Sequence, residues 1–231
     1  MSQSKSSKNK INLKALGIYG AGGLGREVYE LASLINLTSE NWSHIVFIDD
    51  GENIFNPREL PIFKFSELKK SYNSESIEIC IAIGEPEIRR TLYDKILLNN
   101  YNITSLIHPK IHVPKSTKIG LGAIISNYVS LSCDVKIGNN VYIHPNACIG
   151  HDSKIDNSSV ISSYVDVAGD CNVGESSFLA INVCLKHGTS IGSYSIVGMG
   201  SIVFKDLPSN IIAIGNPARV MKKNELRRVF K

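Results

Sequence analysis

The hydrophobic pattern of this chain changes period near residue 113. From Val113 to Val203 every sixth residue is Val, Ile or Leu, sixteen positions without interruption. Chance would place these types at roughly a quarter of such positions. Four residues beyond each lies a second, mostly small set, among them Ala123, Ala147, Ser153, Cys171 and Ser195. Glycine follows the aliphatic residue in Ile119-Gly120, Ile137-Gly138, Ile149-Gly150 and Val173-Gly174. A period of six matches neither an amphipathic helix nor hairpin-linked strands. It predicts a left-handed parallel β-helix: a triangular coil of three short strands per turn, stacked about 4.8 Å apart. Three hexads, eighteen residues, close one coil, so the repeat spans about five coils.

Residues 15–108 follow another rhythm. Leu16-Gly-Ile-Tyr19 reads as a strand, Gly20-Ala-Gly22-Gly23-Leu-Gly25 as a turn, and Arg26 to Ile35 as a helix. Ile45 to Asp50 reads as a second strand, ending in Asp49-Asp50, and Ile77 to Gly84 as a third. Pro86 to Asn99 has helical spacing, and Ile103 to Ile107 is a candidate fourth strand leading to the junction at His108-Pro109. Alternating strand and helix predicts a parallel, Rossmann-like α/β sheet. The Gly20-x-Gly22-x-x-Gly25 spacing suits a backbone that approaches phosphates at a helix N-terminus. Either Asp49 or Asp50 could bond a ribose or base edge. A dinucleotide site would need a second mononucleotide-binding half, for which fewer than about a hundred residues leave no room. The same glycines could also serve only a tight turn.

Composition adds limits. With 43% apolar and 20% charged residues the chain is ordinary for a globular protein. No apolar run approaches the roughly 20 residues of a membrane span. The polar, basic residues 1–14 are expected to be a disordered, solvated tail, without the apolar core of a secretory signal. A formal charge of +4 suits a phosphorylated ligand but lacks the clustered stripe of a nucleic-acid binder. Five cysteines without CxxC spacing are expected to be reduced, in the cytoplasm.

The succession GAGGLGREV, FIDD, CIAIGEPEIRR and a hexapeptide β-helix ending in Ile214-Gly-Asn-Pro-Ala218 resembles one group of hexapeptide-repeat acyltransferases. That group contains the sialic acid O-acetyltransferases and the N-acetyltransferases of nucleotide-linked 4-amino-4,6-dideoxy sugars. The resemblance covers residues 15 to about 222. It implies an N-terminal sugar-nucleotide-binding domain (15–108), a β-helix with its exit loop (109–221) and a short terminal helix (222–231). It further implies a homotrimer, with acetyl-coenzyme A as co-substrate in the groove between neighbouring β-helices. By position, the acceptor would meet Gly22, Gly23, Asp49, Asp50, Gly84, Arg89 and His144. The coenzyme would meet Gly169, Ile181 and Met199. The family commonly has asparagine at His144 and a second histidine at Val160.

Acetyl transfer needs a base, a polarised carbonyl and proximity. Of six histidines, His151 stands two residues past the core position Ile149. Its side chain therefore points outward, and Asp152 follows to orient it. The resemblance places the catalytic pair on these two residues. Eighteen residues on, one coil higher, Gly169 offers a bare N–H to an oxyanion. His187, two coils above His151, would lie about 10 Å from it and is expected to face solvent. His44, His108 and His112 read as surface or junction residues. No metal is expected: a zinc carbonic anhydrase needs three converging histidines, and His144 and His151 fall on different faces. Two other functions fit parts of the pattern, a nucleotide-sugar-binding trimeric scaffold without catalysis and an NAD-linked oxidoreductase. Acetyl-coenzyme A binding separates the first from an N- or O-acetyltransferase; nothing in the β-helix supplies hydride chemistry for the second.

Overall fold

The computed structural model describes residues 13–52, 54–56 and 59–230. The basic tail expected over residues 1–14 therefore lies almost wholly outside the described residues. The N-terminal domain opens with β1 (Ala15–Tyr19), α1 (Gly23–Ser39), β2 (Ile45–Ile48), β3 (Ile62–Phe63) and the single-turn α2 (Phe65–Leu68). It continues with β4 (Ile77–Ile81), α3 (Pro86–Leu98) and β5 (Asn102–Ile103). The strands form one parallel sheet in the order β3-β2-β1-β4-β5. The central strands β1 and β4 read as nearly continuous apolar runs because both faces are covered. The α/β expectation holds, and β3 and α2 are additional elements that the sequence pattern did not suggest.

The predicted fourth strand divides in two. β5 closes the N-terminal sheet, whereas β6 (Leu106–Ile107) pairs with Ile124–Ile125 of the β-helix. The chain changes domain within a few residues, at Thr104-Ser105, so the junction lies slightly before His108. From Lys118–Ile119 onward, two-residue strands pair in parallel with partners eighteen residues away, such as Lys136 with Lys154 and Ile143 with Ile161. Three sheets result, two five-stranded and one eight-stranded. They enclose the aliphatic column as a continuous core from Ile125 to Val203. Fully burying each such side chain contributes about 1.5–3 kcal/mol.

The corners explain the small residues. Ser153, Ser159 and Ser177 are buried, and each hydroxyl donates to a carbonyl one coil on, those of Ala168, Gly174 and Gly192. The residue before each small one takes a left-handed backbone, as at Asn140, Asn146, Asp152, Asp170 and Asn182. Asn and Asp tolerate this conformation well.

The eight-stranded face carries the N-terminal domain. Its outward residues Ile124, Tyr142, Val160 and Phe178 share one apolar cluster with Val28 and Ala32 of α1. The helix expected over residues 222–231 does not form. Arg219–Lys223 instead extends as a strand antiparallel to Ile211–Ile214, and residues 224–230 continue irregularly. A ten-residue helix is marginal alone, and an open sheet edge offers its backbone better partners.

Candidate active site

The glycine loop joins β1 to α1. Gly20 has φ +108°, and a Cβ on Gly25 would fall 1.9 Å from the Gly20 carbonyl oxygen, so helix and loop can meet only as glycines. Gly22 and Gly23, by contrast, face open space at the helix N-terminus, and no side chain caps it. Unsatisfied N–H groups and the helix dipole there suit an anion. Asp49 secures the loop: it accepts from the Ala21 N–H (2.8 Å) and the Gly51 N–H (2.9 Å). Asp50 accepts from the Tyr19 hydroxyl, from Lys95 (2.9 Å) and from the Phe65 N–H (2.8 Å). Burial raises its carboxyl, but these donors outweigh that and hold it below the ordinary carboxylate value. Asp50 lines a separate cavity of about 540 Å³ with Lys64, Lys69 and Lys95.

A larger cavity of about 970 Å³ opens between the start of α1, the loop after β4 and the β-helix. It collects Gly23, Gly84, His144, Ile181 and Met199. Residues expected to meet the acceptor and residues expected to meet the coenzyme thus share one space. His144 stacks on Tyr142 with ring centroids 4.2 Å apart. Burial, reinforced by the Arg89 charge, lowers its pKa to about 4. The imidazole is therefore neutral at physiological pH.

Arg89 does not reach the cavity. It is fully buried, and its guanidinium donates to the Asn140 carbonyl (3.0 and 2.7 Å), the Asn140 side-chain oxygen (2.8 Å), Ile81 (2.6 Å) and Ile83 (3.0 Å). In return Asn140 donates to the Arg89 carbonyl at 2.9 Å. The Arg89 guanidinium spends its hydrogen bonds on protein oxygens, so its role is to clasp α3 to a β-helix corner rather than to touch a ligand. Desolvation lowers its pKa to about 10, still far above neutrality.

His151 and Asp152 occupy the next corner of the coil. The His151 Nδ1 lies 2.8 Å from the Asp152 carboxylate. With Nδ1 donating there, Nε2 is left as the acceptor. The ring lies over Gly169: a Cβ at that glycine would fall 2.5 Å from Nε2. The missing side chain is thus a requirement of the imidazole's position. Among the described residues, the Gly169 N–H has no hydrogen-bond acceptor. The expected separation of His187 is corrected: its ring centroid lies 6.0 Å from that of His151. Strand spacing overestimated the gap because, with no side chain between them, the two rings lean together across Gly169.

Two contributors to the cavity escaped the sequence reading. Val229 and Phe230 form part of its wall, and Phe230 meets Phe178 edge to face at 5.8 Å. Glu85, itself buried, accepts from the Val229 N–H (2.8 Å) and the Phe230 N–H (3.0 Å). The apolar Phe178, eighteen residues from Val160 on the covered face, was the available signal; the long-range bond of Glu85 left none. Among the described residues no cluster of three or more His, Cys, Asp or Glu is placed to hold a metal ion. Among them, too, no helix is long and apolar enough to cross a membrane.

Comparison with known proteins matches the two halves separately. Residues 15–96 match the PglD N-terminal domain, and residues 134–169 match the bacterial transferase hexapeptide (six repeats). A GDP-perosamine N-acetyltransferase of Escherichia coli O157:H7 is 33% identical over 138 residues, 54% of this chain and 59% of the relative's length. The acetyltransferase domain of PglB from Neisseria gonorrhoeae, solved with acetyl coenzyme A, superposes with TM-score 0.81 at 27% identity, covering 90% of this chain and 100% of that one. PerB from Caulobacter crescentus, solved with CoA and GDP-perosamine, gives 0.80 at 25% identity, covering 89% and 96%. The chain thus joins a domain similar to the PglD N-terminal domain to bacterial transferase hexapeptide repeats, with a His-Asp pair at a corner of the coil.

Proposed function

We propose that this protein transfers the acetyl group of acetyl-coenzyme A to the amino group of a nucleotide-linked 4-amino-4,6-dideoxy sugar, as a cytoplasmic step in surface-glycan biosynthesis. The observation that carries the reading is the His151-Asp152 pair set against Gly169. An oriented imidazole with a free Nε2 and a bare N–H stand one coil apart, as direct acyl transfer requires. The relatives' substrates, a GDP-linked amino sugar and CoA, support the choice of acceptor and donor.

In this mechanism the sugar amine attacks the thioester carbon while His151 Nε2 takes its proton. Asp152 stabilises the imidazolium, the Gly169 N–H holds the developing oxyanion, and the coenzyme thiol departs. The 970 Å³ cavity lies at a different corner from His151, with the strand Cys148–Ile149 between them. One coil cannot fold both corners onto one ligand. A homotrimer resolves this, because His151 of one protomer then faces the cavity of the next.

The reading is tested by following acetyl-coenzyme A consumption against a panel of UDP-, GDP- and dTDP-linked amino and hydroxy sugars. Turnover is expected with a 4-amino-6-deoxy acceptor, and His151→Ala is expected to lower kcat by about 10²–10⁴-fold. Turnover of hydroxy acceptors alone, or an unchanged kcat in the variant, would overturn it.

A further inference from the structure

His187 is left unassigned by the mechanism above, yet its position is specific. Its ring stands 6.0 Å from that of His151, tilted by 42°. Gly169 lies between the two in the stack: Asp170 N–H donates to the His151 carbonyl (2.8 Å) and Gly188 N–H to the Gly169 carbonyl (3.0 Å). Two imidazoles thus flank the unpartnered Gly169 N–H. The charged side chains at the same corner are Asp152, Asp170, Lys186 and Lys205, and Lys205 continues the column that holds His151, Gly169 and His187.

Resting on the proposed acetyl transfer, we infer that His187 is a second catalytic residue, the general acid that protonates the departing thiolate. A tetrahedral intermediate carries its attacking nitrogen and its sulfur on one carbon. Hydrogen bonds of about 3 Å from each of these atoms reach two rings separated as His151 and His187 are.

The proton accounting closes. The amine nitrogen forms the C–N bond, and the carbonyl π pair moves to oxygen beside the Gly169 N–H. His151 Nε2 takes the proton of the new ammonium. The oxyanion then re-forms C=O, the C–S bond breaks, and sulfur leaves with that pair while accepting a proton from the His187 imidazolium. Solvent removes the proton from His151 and restores the one on His187. The net products are the N-acetyl sugar and the free thiol.

His187 is exposed, so His187→Gln is expected to fold as the parent does. The test compares two acetyl donors, acetyl-coenzyme A and the acetyl thioester of an electron-poor aromatic thiol, which needs no proton to depart. With acetyl-coenzyme A the variant is expected to lose about 10²-fold in kcat, with KM for the amino sugar unchanged. With the aromatic thioester it is expected to match the parent. His151→Ala, lacking the base, is expected to be slow with both donors. An equal deficit of His187→Gln with the two thioesters, or a kcat within about twofold of the parent, would overturn the assignment. Failure of the parent itself to acetylate any amino sugar would instead overturn the proposed function and this inference with it.

Discussion

At the scale of the residue, Gly169 shows how an absent side chain can do chemical work. Its importance reads from sequence only as a position in a column, one coil above His151. The structure adds the reason: a Cβ would sit 2.5 Å from Nε2. Gly169→Ala is expected to fold normally, since the displaced ring is exposed and free to rotate away. A ring misplaced by about 1 Å costs on the order of 10²-fold in rate. A kcat loss of that size with an unchanged melting temperature checks the point. His144 offers a different experiment. Burial holds its pKa at about 4 in the folded protein, below the ordinary imidazole value of 6.5. As pH falls below 6.5 the unfolded chain takes up a proton that the folded one refuses. The stability it contributes is therefore complete above 6.5, is lost as pH falls, and is gone below 4. The total is about 3 kcal/mol at the usual conversion. Thermal melts between pH 7 and 4 are expected to fall less steeply for His144→Asn than for the parent.

At the scale of the element, the hexapeptide strands were fully legible and the C-terminal segment was not. Two-residue strands need no propensity of their own, because each is locked by an aliphatic residue inside and a neighbour eighteen residues away. The last residues have no such register. Their conformation follows from an open edge at Ile211–Ile214 and from two N–H donors meeting Glu85. That segment walls the cavity, so removing residues 225–231 is expected to raise KM for the substrates by about tenfold, consistent with loss of an aromatic contact, while kcat at saturation is kept. Glu85→Gln, which can accept through one oxygen only, is expected to fall between the truncated and full-length proteins. Steady-state kinetics of the two variants with both substrates measures this; unchanged KM values would show that the segment is merely a trailing end.

At the scale of the whole molecule, the three faces of the coil have distinct outward columns. Lys118, Lys136 and Lys154 mark one face, and Ser130, Cys148 and Asp166 another. Ile124, Tyr142, Val160 and Phe178 mark the third, which the N-terminal domain covers. Val160, where the family carries histidine, is thus fully buried between the domains. Reading at a period of eighteen rather than six would have exposed this face in the sequence. The Arg89–Asn140 clasp then sets how the two domains meet. If catalysis joins the His151 corner of one protomer to the cavity of the next, two inactive variants can complement each other. Co-expressed His151→Ala and Ala180→Trp, the second filling the cavity, are expected to recover a measurable fraction of parental activity in mixed trimers. Assay of each variant alone and of the mixture checks it, and no recovery would place the whole site within one chain.

The sequence by itself determined the β-helix, its eighteen-residue coil, the parallel sheet before it and the column that holds His151, Gly169 and His187. Those features are local and periodic: each residue's place follows from its neighbours and from the need to bury an aliphatic row. Only the tertiary structure decided that Arg89 is a buried clasp, that Asp49 and Asp50 are bound to their own protein, that the two ring centroids lie 6.0 Å apart, and that Val229 and Phe230 wall the cavity. Each of these joins residues that no period relates, or depends on how side chains settle into space left by a glycine. Such contacts are settled by the competition of buried polar groups for partners, which a one-dimensional pattern does not record.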